Sequence, residues 1–231
     1  MTKKIDVKNK ILLFDLDGTL VDTEKLGERV LREYCVDKKI LDQEEDLTKA
    51  SKLIVGRTWK SAIQEVISLY GLKLDPEQVE LDLKKHYQKL LHGGIDLIPG
   101  VHEKLAKFKA KSLFMGIVTG SAGAEVDVIL NAEGLVSTFD RVWSSETYSE
   151  SKPSPVPFLT AFGETQSFMR SASGMQILPQ DVIVFEDSVA GMESAFRAGF
   201  SFIQVLHAHP SASPDPRALL TIQDWHELIV L

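Results

Sequence analysis

Apolar positions fall along this chain in two textures. Residues 11–14, Ile-Leu-Leu-Phe, form a run of four hydrophobic positions bounded by polar residues. That pattern suits a short strand buried on both faces of a parallel sheet. From about residue 23 to 93 the apolar positions recur at helical spacing instead. Leu26, Val30, Leu31, Tyr34 and Cys35 make one stripe; Trp59, Ala62, Ile63, Val66, Ile67 and Tyr70 a second; Val79, Leu83, Tyr87, Leu90 and Leu91 a third. Gly71 and Gly93-Gly94 close the last two stripes. Asp75-Pro76 opens the third as an N-cap followed by proline in the first turn. The polar stretch 42–52 reads as helix or loop, and no strand pattern occurs in this block.

Beyond Pro99 helix and strand alternate. The spacing predicts a short helix through Val101, Leu105 and Phe108, a strand over 113–118, and a helix through Val126, Ile129 and Leu130 that ends at Gly134. A short strand at 141–143, the start of a helix over 155–162, a strand over 182–185 and a helix over 188–198 follow. A strand over 202–205 and a terminal helix over 223–231 complete the pattern, while the Ser- and Gly-rich segment 163–174 reads as a mobile loop. Alternation of this kind implies an α/β fold, a parallel sheet with helices on both faces in a Rossmann-like three-layer core.

Composition adds exclusions. With 231 residues, 44% hydrophobic and 26% charged, the chain is an ordinary globular one. A net charge of −7 argues against nucleic acid or an anionic membrane as the main partner. A small phosphorylated substrate stays compatible, because a bound metal and a lysine can reverse the field locally. The single cysteine, Cys35, excludes an internal disulfide framework and points to a reducing compartment. With no visible signal peptide or membrane span, the expected location is cytoplasmic. The mixed surface is compatible with a monomer or a weak homo-oligomer.

Candidate chemistry sits where the predicted strands end. Asp15 and Asp17 follow the first strand, at the sheet edge where ligands bind in open α/β folds. Two carboxylates that close repel each other unless a cation lies between them or one keeps a proton. A hard divalent cation such as Mg²⁺ suits an all-carboxylate set with no His or Cys beside it in sequence. Asp-Gly is also ordinary turn chemistry. After the strand ending at Val118 come Thr119, Gly120 and Ser121, whose hydroxyls and backbone N–H groups suit a phosphate oxygen. Lys152 lies between Ser151 and Pro153 in Ser-Lys-Pro-Ser-Pro, a stretch whose prolines stiffen the backbone. Glu186 and Asp187 follow the strand ending at Phe185, either as a second acidic pair or as a helix N-cap.

Read together, Asp-Leu-Asp-Gly-Thr-Leu-Val-Asp-Thr-Glu, Val-Thr-Gly-Ser, Ser-Lys-Pro-Ser-Pro and Val-Phe-Glu-Asp-Ser-Val-Ala-Gly resemble, in order, motifs I to IV of the haloacid dehalogenase-like (HAD) phosphohydrolase superfamily. The resemblance covers nearly the whole chain. It implies a core domain of residues 1–22 and 94–231, with a helical cap domain of residues 23–93 that closes over the site and sets specificity. It also implies a Mg²⁺-dependent phosphatase of small phosphorylated metabolites. By that resemblance Asp15 is the nucleophile, Asp17 the general acid and base, and Thr119 and Lys152 hold phosphoryl oxygens. Asp15, the carbonyl of Asp17 and Asp187 bind the metal, with Glu186 a ligand or just behind one. Arg57, in Gly56-Arg57-Thr58, is the candidate cap contact to substrate, or else a solvated residue at a helix start. A β-phosphoglucomutase-type mutase is the alternative, but that group carries a His shortly after motif I where this chain has Gly27. A binding protein that has kept the fold without catalysis is a third reading, disfavoured by the intact residue set.

Overall fold

A computed structural model describes residues 2–53 and 59–231. Strands β1 (Lys3–Ile5) and β2 (Ile11–Phe14) precede four helices, α1 (Thr23–Asp37), α2 (Glu44–Lys52), α3 (Trp59–Tyr70) and α4 (Pro76–Leu91). Then come α5 (Val101–Lys109), β3 (Phe114–Val118), α6 (Gly123–Ala132), β4 (Arg141–Trp143) and α7 (Val156–Ser173). The chain finishes with β5 (Val182–Glu186), α8 (Val189–Arg197), β6 (Ser201–Val205), β7 (Leu220–Ile222) and β8 (Leu228–Val230). Two compact units result: Met1–Asp22 with Asp96–Leu231, and Thr23–Ile95.

The larger unit is built on six parallel strands in the order β4-β3-β2-β5-β6-β7. This is the doubly wound arrangement, and its order reverses between β2 and β5. Both faces of β2 are buried, as its unbroken apolar run requires. Ile11 and Leu13 pack on one face with Trp143, Phe158, Val184 and Phe202. On the other face Phe14 stacks on Phe185 with ring centroids 4.7 Å apart, and Trp225 lies 5.1 Å from Phe185. The ladder runs one residue past the strand ends: Asp15 N–H donates to Phe185 O at 2.9 Å and Thr119 N–H to Trp143 O at 3.0 Å. Asp15 and Thr119 are therefore held by the sheet itself.

Two sequence expectations are corrected. The terminal segment 223–231 is not a helix; it makes a 3-10 turn at Trp225–Glu227 and then β8, which pairs in parallel with β1. A partner more than two hundred residues away supplies the ladder, and tertiary pairing outweighs local helical spacing. Segment 163–174 is not a loop, because α7 continues through it to Ser173. Ala161, Thr165 and Met169 recur every four residues on the buried face, and Gly174, at φ 69°, ends the helix. The polar stretch at 42–52 is resolved in favour of a helix, α2. The three-residue strands β1 and β7 had no signal of their own.

In the smaller unit α1 packs against α2 and α4, and α3 against α4. The three apolar stripes supply its interior, with Val30, Leu31, Ala62, Ile63 and Leu83 buried. Asp75 caps α4 by accepting from Glu77 N–H, with Pro76 in the first turn. Among the described residues no helix is long and apolar enough to cross a membrane.

Candidate active site

The carboxyl ends of β2, β3 and β5 lie side by side at the point where strand order reverses, and each carries one of the acidic or hydroxylic motifs. After β2 the chain turns at once: Gly18 N–H donates to Val21 O at 2.8 Å and Leu20 N–H to Leu16 O at 2.8 Å. Gly18 is required twice over. Its φ is 77°, and a Cβ there would fall 2.2 Å from Asp187 Oδ2. The carbonyl of the next residue, Thr19, accepts from the indole N–H of Trp225 at 2.9 Å, so the C-terminal segment braces the motif I loop.

Lys152 is the centre of the site. Its ammonium is buried and spends its three donors on Asp15 Oδ1 at 2.6 Å, Glu186 Oε1 at 2.6 Å and the Val118 carbonyl at 2.9 Å. Burial alone would depress this ammonium, but the two carboxylates reverse the effect and hold it above its ordinary range. Glu186 is wholly buried. Its other oxygen accepts from Asp187 N–H, Ser188 N–H and Ser188 Oγ at 3.0–3.1 Å. Room for its carboxylate exists because residue 191 is glycine; a Cβ there would lie 1.7 Å from Glu186 Oε1. Ser188 in turn caps α8 by accepting from Gly191 N–H.

Asp15, Glu186 and Asp187 each present a carboxylate oxygen within 4.8 Å of the others. Burial pushes the Asp15 carboxyl well above the usual carboxylate range, opposed by Lys152 and reinforced by Glu186, Asp187 and Asp17. Burial likewise raises Glu186, against the pull of Lys152. Two of the three carboxylates, Asp15 and Glu186, share one ammonium, so the protein's own charges leave a negative excess among close oxygens. An all-oxygen donor set of that charge fits a hard divalent cation. With one Glu186 oxygen on Lys152 and the other on three donors, Asp15 and Asp187 are the better-placed ligands.

Asp17 is placed differently. Its carboxylate is not part of the acidic cluster; Oδ2 accepts from Ser121 Oγ at 2.6 Å and Thr119 Oγ1 at 3.2 Å. Thr119 is buried, and its Oγ1 accepts from Ser121 N–H. Gly120 is exposed with open space around it. Thus Asp15, Lys152, Glu186 and Asp187 meet in one cluster, and Asp17, Thr119 and Ser121 form a second group joined to it through β3. Gly56, Arg57 and Thr58 lie outside the described residues.

Two residues here went unread in the sequence. Thr19 is fully buried and donates to Asp187 Oδ1 at 3.1 Å. Its place two residues after Asp17 was the available signal. His209, after β6, has its Nε2 3.4 Å from Asp187 Oδ2, so a histidine does stand beside the acidic cluster. Nothing local marks it, because β6 joins the site only through the sheet order.

A doubly wound sheet with buried, lysine-bridged carboxylates at its switch point defines an α/β enzyme with an acidic centre. The chain belongs to the haloacid dehalogenase-like hydrolase family, whose model matches residues 12–205. It is 27% identical over 194 residues to fructose-1-phosphate phosphatase YqaB of Escherichia coli (strain K12), covering 84% of this chain and 95% of that protein. It is 25% identical over 234 residues to β-phosphoglucomutase of Bacillus subtilis (strain 168), covering 94% of each. Among solved structures, the magnesium-bound HAD-hydrolase YfnB of Bacillus subtilis matches with a TM-score of 0.76 at 18% identity, over 95% of this chain and 96% of that one. At that identity the likeness concerns the fold alone.

Proposed function

We propose that this chain is a Mg²⁺-dependent phosphomonoester hydrolase acting on a small phosphorylated metabolite of the sugar-phosphate class through an aspartyl-phosphate. The observation that carries the reading is Lys152, locked between Asp15 and Glu186 beside Asp187. A carboxylate can attack an anionic phosphate only when cations offset the repulsion, and here one fixed cation already touches the attacking group.

In the first step an Asp15 oxygen bonds to phosphorus as the bond to the leaving oxygen breaks, and Asp17 gives that oxygen its proton. In the second step water attacks phosphorus and Asp17 takes the water's proton. The Asp15 O–P bond breaks, releasing phosphate and restoring both carboxyl groups. Lys152, Thr119 and Ser121 hold the phosphoryl oxygens, the ammonium by exchanging its contact with the Val118 carbonyl and the two hydroxyls by turning from Asp17. Asp15, Asp187 and the Asp17 carbonyl would hold Mg²⁺, with Glu186 fixing Lys152 behind them. The metal's contribution is to neutralise charge on the transferring phosphoryl group.

The sugar-phosphate class is supported by the relatives named above and by hexitol phosphatase B of Escherichia coli (strain K12), 27% identical over 214 residues, 90% of this chain and 87% of that protein. Hydrolysis rather than transfer between sugar positions is favoured by Gly27. It is buried within α1, where it offers no side chain to hold an acid or gate a phosphoryl group. The test is a phosphate-release panel of sugar phosphates, phosphoglycolate and nucleoside monophosphates with Mg²⁺, beside Asp15→Asn and a chelator control. Release by the unmutated protein and none by either control is expected. β-Glucose 1-phosphate isomerised without phosphate release would replace the hydrolase with a mutase.

A further inference from the structure

The loop after β6 lies against the metal-binding carboxylate that we assign to Asp187. Leu206 continues the sheet through its N–H to Ile222 O at 2.8 Å, and a turn follows in which His209 N–H donates to Leu206 O at 3.0 Å. Ala208 sits beside Gly18, its Cβ 3.2 Å from where a Gly18 Cβ would be. This packing presents two imidazoles to two different carboxylates. His207 Nε2 lies 3.5 Å from Asp22 Oδ2, and His209 Nε2 3.4 Å from Asp187 Oδ2.

Asp187 is thereby enclosed on both oxygens. Oδ1 accepts from Thr19 Oγ1, and Oδ2 lies 2.2 Å from where a Gly18 Cβ would be and 3.4 Å from His209 Nε2. We propose that His209 is a positioning residue for metal binding: a proton on Nε2 faces Oδ2 and, with Thr19, fixes the plane of the Asp187 carboxylate. A carboxylate oxygen has two lone-pair directions, so a contact on one leaves the other for a cation. Carboxylates that bind metals are held by such outer partners, and losing one typically costs about 10–100-fold in metal affinity. The inference rests on the Mg²⁺ reading given above. His209 touches neither substrate nor reacting atoms in this role.

The experiment is Mg²⁺ titration of the full chain by calorimetry, with the Mg²⁺-induced rise in Tm as a second readout. His209→Ala should weaken Mg²⁺ binding about 10–100-fold, with kcat at saturating Mg²⁺ changed only a few-fold. His209→Gln, which places an amide N–H near the position of Nε2, should recover most of the affinity. His207→Ala, in the same turn but facing Asp22, should bind Mg²⁺ within about twofold of the unmutated protein, a difference small on the scale of that loss. Unchanged affinity in folded His209→Ala would overturn the proposal while leaving the metal reading intact. Equal weakening by His207→Ala would overturn it too, by showing that the turn matters and the imidazole does not. Failure of the unmutated protein to bind Mg²⁺ would remove the metal reading first, and this inference with it.

Discussion

The two units treat charge in opposite ways. In the larger one, Asp15, Glu186 and Asp187 are buried around a lysine whose side chain is only 10% exposed, and Lys152 has carboxylates on two of its three donors. In the helical unit Ser51 is the one buried residue of polar or charged type among the described residues. Some of its ion pairs, such as Arg29–Glu33 and Lys49–Glu45, lie one helical turn apart on the surface, and others, such as Arg32–Glu44, join neighbouring helices. The unit holds a half-open pocket of about 10 Å³ lined by apolar groups including Leu31, Cys35, Ile63 and Val66. That is room for about one water molecule and no metabolite. Burying ions costs several kcal/mol each unless they are paired and hydrogen-bonded. The chain accepts that cost at the end of its central strands and nowhere among the described residues of the helical block. The difference marks where chemistry is expected, independently of any motif.

Substitution can break this contrast. Lys152→Met removes the one lysine or arginine that touches the acidic cluster among the described residues. We expect phosphate release to fall by about 10³-fold or more, and the loss of one partner from a buried pair to cost about 3–5 kcal/mol in denaturant melts. A variant with unchanged melting would mean that the carboxylates are not held by the lysine.

The helical unit should instead refuse charge. Burial pushes the Cys35 thiol up to about 11. The protonated thiol is the form favoured by folding, so its contribution to stability is full below pH 9 and is lost as pH rises through about 11. Native Cys35 should therefore react with an aromatic disulfide reagent at pH 8 about 100-fold more slowly than the urea-unfolded chain, the ratio of thiolate fractions for two pH units. Equal rates would place the thiol in solvent.

Much of this site is legible in the sequence. Asp15, Thr119, Lys152 and the Glu186-Asp187 pair each follow a short buried run or a rigid turn, and such runs announce themselves. What could not be read depended on distant partners. Trp225 braces Thr19 from the far end of the chain, β8 exists because β1 is there to pair with it, and His209 reaches the cluster only through the strand order. The misread segment 163–174 failed for a different reason. Its Ser and Gly content outweighed a four-residue burial period that ran straight through it.

Smaller changes sharpen the comparison. Gly191→Ala would normally favour a helix, but here the new methyl meets Glu186, so a loss of about 1–3 kcal/mol and reduced turnover are expected in melts and assays. Thr165 Oγ1 is the one buried side-chain polar atom without a hydrogen-bond partner among the described residues. Thr165→Val should stabilise by about 1 kcal/mol with activity unchanged, measured by urea denaturation. Lys49→Ala, which deletes a surface pair of the helical unit, should shift stability by no more than about 0.5 kcal/mol.

The missing methyl at Gly18 has a consequence for heredity. Because a Cβ there would overlap Asp187 Oδ2, a side chain at 18 obliges the Asp187 carboxylate to move and so couples the two positions. A lineage that acquires alanine at 18 is pressed to shrink residue 187, and the shrunken residue can no longer present a carboxylate. A screen for intragenic revertants of Gly18→Ala should therefore recover folded, expressed protein through changes at 187 and should never recover turnover by that route. The route back to an active enzyme is reversion at codon 18, which is how a single absent carbon can keep a sequence fixed without taking part in any reaction.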